Sequence, residues 1–71
     1  MKKQTSVPVR VAQKLLNKDG WRITNTHNVD EYGRVHPARE WRICFENADL
    51  GLKLTKAGIG WGPEYWTVAK L

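Results

Sequence analysis

Residues 40–46 read Glu-Trp-Arg-Ile-Cys-Phe-Glu, and no other stretch constrains the fold so strongly. Trp41, Ile43 and Phe45 alternate with Arg42 and Cys44, and a carboxylate stands at each end. Strict alternation over this length marks a half-buried β-strand, with one apolar face and one wet face. No other part of the chain offers as much apolar bulk at a two-residue period, so this strand is expected to organise the rest.

At 71 residues the chain is read as one domain, near the lower size for folding on a single core. Its hydrophobic fraction of 41% is too high for a disordered chain. Four tryptophans offset the small size, because each buries a large apolar area. The single cysteine, Cys44, cannot form an internal disulfide and gives no sign of secretion. No apolar run reaches membrane-spanning length, and Met1-Lys2-Lys3 leads into polar Gln4-Thr5-Ser6. A cytoplasmic protein without a membrane partner is expected, and no motif asks for a cofactor.

In chain order, residues 1–5 are polar and basic and read as a flexible arm. Ser6 is the expected N-cap of a helix, with Pro8 in its first turn. From Pro8 to Lys18 the spacing is helical: Val9, Val11, Ala12, Leu15 and Leu16 share one arc of about 160°. Asp19-Gly20 is the expected stop. A short strand through Val7, Val9 and Val11 is the alternative, but it leaves Leu15 and Leu16 unexplained. Residues 21–27 read as a strand, with Trp21 and Ile23 toward the helix and Arg22, Thr24 and Thr26 on the other side. Residues 28–38 form a long connection with a turn signal at Asp30-Glu31-Tyr32-Gly33. After the organising strand, residues 47–49 turn into a third strand over 50–56, where three leucines alternate with Gly, Lys and Thr. The glycine-rich stretch 57–63 is a loop, and residues 64–71 close the chain as a fourth strand. The expected fold is α+β: one N-terminal amphipathic helix packed on a small, mostly antiparallel three- or four-stranded sheet.

Twelve Lys and Arg against seven Asp and Glu give a net charge of +5, which favours anionic partners. Arg10, Lys14 and Lys18 recur at i, i+4 and i+8, a cationic stripe about 12 Å long. Such a stripe suits phosphate contacts, with Gln13 and Asn17 beside it as hydrogen-bonding groups; it also suits a plainly solvated face. Arg22, Arg42 and Lys53 would stand together on the wet face of the sheet. Glu40 and Glu46 share that face, so cross-strand ion pairing is the competing explanation. Trp61, among alternating glycines, is either a stacking or anchoring group or a lid folded back on the core. Arg39 adds one more cation before the organising strand.

His27, His36, Cys44, Asp30 and Glu31 are the only residues resembling a metal or catalytic kit, and they lack zinc-site spacing. His27, with Asp30 and Glu31 close in sequence, has the makings of a general base in RNA cleavage. The run 14–21, Lys-Leu-Leu-Asn-Lys-Asp-Gly-Trp, followed by a strand and His27, resembles the opening of HicA-type toxins. That resemblance covers the first third of the chain. It implies a small ribonuclease with a helix-on-sheet fold and His27 as its catalytic histidine. Asn25-Thr26-His27 departs from the Gly-Ser-His context usual there, and the family's closing helix has no counterpart.

These residues favour a non-enzymatic binding module for nucleic acid, using Arg10, Lys14 and Lys18 with help from Arg22, Arg39, Arg42 and Trp61. Two alternatives stand beside it. One is a phage-type regulator or inhibitor that binds an acidic or nucleic-acid-binding protein partner. The other is the HicA-like ribonuclease. A homodimer through an exposed edge strand, with residues 64–71 as the candidate, is a further expectation.

Overall fold

The structure is a computed structural model in which residues 4–71 are described. Among them are β1 (Thr5–Val7), α1 (Val9–Leu16), β2 (Trp21–His27), β3 (Glu40–Asn47), β4 (Leu52–Ile59) and β5 (Glu64–Lys70). The five strands form one antiparallel sheet in the order β1-β5-β4-β3-β2. The fold is therefore α+β, with the N-terminal helix on one face of an antiparallel sheet, but the sheet has five strands.

The extra strand comes from the segment read as arm and cap. Thr5, Ser6 and Val7 pair with Val68, Thr67 and Trp66. Ser6 therefore lies in a strand; Pro8 is the N-cap of α1 and makes no side-chain cap. Its carbonyl accepts the N–H groups of Val11 and Ala12, which satisfies donors a capping side chain would otherwise take. Residues 1–3 of the expected arm lie outside the described residues. Because β1 covers β5, the 64–71 segment is an inner strand, and the sheet edges are β1 and β2.

α1 ends at Leu16, two residues earlier than the spacing suggests, and Lys18 lies beyond it. The Trp21 indole N–H donates to the Leu15 carbonyl at 2.7 Å, which satisfies an acceptor of the last turn and ties the helix to β2. Ala12 is fully buried, and its small side chain lets the helix approach Leu54 and Trp66. Leu15, Leu16, Val7, Trp21, Phe45 and Val68 pack around this centre. Val9 and Val11, at the two ends of the apolar arc, stay exposed, because a helix of two turns meets the sheet along a narrow line.

The middle strand is β4, and its Leu54 has no exposed surface; β3 stands beside it. α1 leaves part of its face uncovered, and Lys56 lies there. Its Nζ stands 5.6 Å from the Trp66 ring and 5.9 Å from the Trp41 ring, and it pairs with Glu64 at 3.4 Å. β2 has a bulge between Ile23 and Asn25. The bulge shifts the phase of the strand, so Thr26 pairs with Ile43 and shares its face, against the expected alternation. Ile23, expected to be covered by the helix, is 61% exposed on this edge strand.

Candidate functional site

Directly opposed residues of antiparallel strands share a face, so the register maps the surface that α1 leaves open. Ser6, Thr67, Thr55, Cys44 and Asn25 form one row across all five strands. All five side chains are small and polar, and the bulge places Thr24 next to Asn25. On one side of this row stand His27, Arg42, Ala57 and Tyr65; on the other stand Arg22, Glu46, Lys53 and Ala69. Long side chains on both sides of a short row make a groove that runs across the strands. It is about 19 Å long, and the two flanking rows are about 14 Å apart, from ordinary strand spacing and rise.

The groove floor is tightly packed: Cys44 and Thr55 are buried, with Cys44 Sγ 4.0 Å from Thr55 Oγ1. Above them opens a recess of about 260 Å³, lined among others by Asn25, Arg42, Lys53, Tyr65 and Thr67. Glu40 reaches the same recess.

The expected ion pairing on this face does not form. Among the described residues the ion pairs within 4 Å are Arg34–Asp30 and Lys56–Glu64. Glu46 instead accepts the Thr24 hydroxyl at 3.0 Å. Arg22, Arg42 and Lys53 thus carry charge into the groove with no carboxylate in contact, and their charge exceeds that of Glu40 and Glu46 by one.

The residues singled out in the sequence fall into three places. Arg10 and Lys14 are exposed on α1, on the far side of the sheet, and Lys18 lies past the helix end. Arg22 and Arg42 are in the groove walls. Arg39 and Trp61 sit at one end of the sheet, where the Gly60 N–H donates to the Arg39 carbonyl at 2.9 Å. No single ligand face joins all seven. Trp61 is 82% exposed, so it is not a lid on the core. Its turn is not loose either, because the Gly60 carbonyl also accepts the Trp41 indole N–H.

Among the described residues, His27, His36, Cys44, Asp30 and Glu31 show no hydrogen bond or ion pair with one another. Asp30 is occupied within its own loop: its Oδ1 accepts the N–H groups of Tyr32 and Arg34, and its Oδ2 pairs with Arg34. His27 stands opposite Arg42 on the groove wall, and its directly opposed neighbour is thus a cation rather than a carboxylate. No group of three or more His, Cys, Asp or Glu able to hold a metal exists among the described residues. No helix there is long and apolar enough to cross a membrane.

Sequence reasoning placed Arg22, Arg42 and Lys53 on one face but missed the groove between them. The signal was a small polar residue at the wet position of each strand: Ser6, Asn25, Cys44, Thr55 and Thr67. Only the register shows that these five align. No family model matches this chain, and no curated protein or solved structure matches it significantly.

Proposed function

We propose that the protein is a non-enzymatic nucleic-acid-binding module whose binding surface is the groove on the open sheet face. One observation carries this reading: Arg22, Arg42 and Lys53 flank a floor of hydroxyl, thiol and amide groups without carboxylate contacts. Unpaired cations neutralise phosphates and release counterions, while Asn25 and Thr67 donate hydrogen bonds to phosphate or base oxygens. The α1 stripe is the weaker candidate, since only Arg10 and Lys14 remain on the helix and exposed Val9 and Val11 adjoin them.

The test is a pair of charge-reversal variants titrated against labelled oligonucleotides by fluorescence anisotropy. Arg42→Glu with Lys53→Glu abolishes binding at low salt, and Arg10→Glu with Lys14→Glu leaves most of it. Equal loss in both variants would mean unspecific attraction to a basic protein. Loss only in the helix variant moves the site to α1.

A second reading is docking to a protein partner, favoured by Trp61, Ile59 and Tyr65 being exposed at one end of the sheet. Exposed aromatics on a rigid turn are the usual anchors of such contacts. It predicts a co-purifying protein whose retention depends on Trp61, and no oligonucleotide affinity.

A further inference from the structure

The groove wall formed by His27, Arg42, Ala57 and Tyr65 is broken at Ala57. Arg42 on β3 and Tyr65 on β5 flank that gap, two strand spacings or about 10 Å apart at the backbone. Tyr65 is 53% exposed and Arg42 is exposed, while the Ala57 methyl group is buried between them. The side chains on either side are the two kinds of planar group that stack on nucleobases, a phenol ring and a guanidinium. A planar ring held between two others needs about 7 Å, two van der Waals contacts of about 3.5 Å. The backbone separation admits it once the Arg42 and Tyr65 side chains part over the covered Ala57 methyl group. Glu40 lines the same recess and supplies an acceptor for a base amino group. The recess, about 260 Å³, is smaller than the roughly 300–1,000 Å³ of sites that enclose whole small molecules. It suits one base of a polymer whose backbone runs along the groove.

We infer that Arg42, Ala57 and Tyr65 form a slot for one unpaired nucleobase, and that the ligand of the groove is therefore a single strand. This rests on the nucleic-acid reading above. A duplex keeps its base faces stacked inside the helix and offers none to the slot. Lys53 and Arg22, on the opposite wall, hold the backbone while the base turns toward Tyr65.

The experiment compares a labelled single-stranded oligonucleotide with a hairpin duplex of the same composition, by anisotropy, for four proteins. They are the wild type, Ala57→Leu, Tyr65→Ala and Tyr65→Phe. The wild type binds the single strand at least tenfold more tightly. Ala57→Leu fills the slot without changing any charge, and Tyr65→Ala removes one stacking face. Each lowers single-strand affinity about tenfold and leaves duplex affinity unchanged, whereas Tyr65→Phe retains binding. Circular dichroism establishes that each variant is folded, and Tyr65, at the surface, remains informative if Ala57→Leu is not. Equal binding of single strand and duplex overturns the inference. So does unchanged single-strand binding by folded Tyr65→Ala when Arg42→Glu with Lys53→Glu has lost it, and in that case the groove reading survives. Absence of any binding by the wild type removes both.

Discussion

The Trp41 indole N–H donates to the Gly60 carbonyl at 2.9 Å, joining the start of β3 to the turn that follows β4. Two glycines make that contact geometrically accessible. A Cβ on Gly58 would lie 2.9 Å from the Trp41 ring, and one on Gly60 would lie 2.3 Å from the Pro37 carbonyl oxygen. Gly60 also has φ +56°, in the left-handed region. The glycines read as loop composition in the sequence thus allow close approach, and they hold the turn that carries Trp61.

Gly60→Ala should destabilise the fold by about 3 kcal/mol, since the Pro37 backbone must move and the strained φ remains. Gly33→Ala is the comparison: φ is +79° there, but among the described residues nothing beyond its chain neighbours lies within 4 Å of the added carbon. It should lose only about 1 kcal/mol. Urea denaturation of both variants checks the difference, and equal losses would contradict the close-approach account.

Asn47 is fully buried at the end of β3 and joins two connections. Its Nδ2 donates to the Asp19 carbonyl at 2.9 Å, and its Oδ1 accepts the Leu50 N–H at 3.1 Å. Asn47→Ala leaves both partners without this side chain and should lower stability by about 2–3 kcal/mol. The exposed Asn25→Ala should change it by less than about 0.5 kcal/mol. Thermal melts of the two variants measure the contrast.

Lys56 separates structural charge from binding charge. Its stem and ammonium lie against Trp41 and Trp66 on the helix side of the sheet. Lys56→Ala should destabilise by about 1–2 kcal/mol, and Lys56→Met, which keeps the stem, by less. Neither should weaken oligonucleotide binding beyond the small effect of one distant charge. A large affinity loss in folded Lys56→Met would place the binding surface on the wrong face.

Salt dependence counts the phosphate contacts. With Arg22, Arg42 and Lys53 engaged, the logarithm of single-strand affinity should fall with the logarithm of salt at a slope of about −2. Neutralising any one of the three should reduce the slope by about 0.7, and neutralising Lys14 should leave it unchanged. Titrations at three salt concentrations provide the values. A slope that responds to Lys14 and not to Arg42 would return the site to the helix.

Local pattern placed the four strands from Trp21 onward, but β4 runs from Leu52 to Ile59. Ala57, Gly58 and Ile59, expected in the loop 57–63, belong to a strand because both neighbouring strands pair with that end. Alternation in 40–46 and in 52–56 is enough to specify strands, because each side chain's face follows from a period of two. It also placed Arg22, Arg42 and Lys53 on one wet face. What the tertiary structure decided were relations between strands. Thr5–Val7 is a strand because β5 offers an open edge to pair with, and that partner lies far away in sequence, at Trp66 to Val68. The bulge in β2 reverses the facing of Thr26, and no local signal marks it. The row Ser6–Thr67–Thr55–Cys44–Asn25, and the gap at Ala57 between Arg42 and Tyr65, exist only once the register of four strand pairs is set. Register is a property of pairing and core packing rather than of any one segment, so a groove built across strands is invisible to a reading along them.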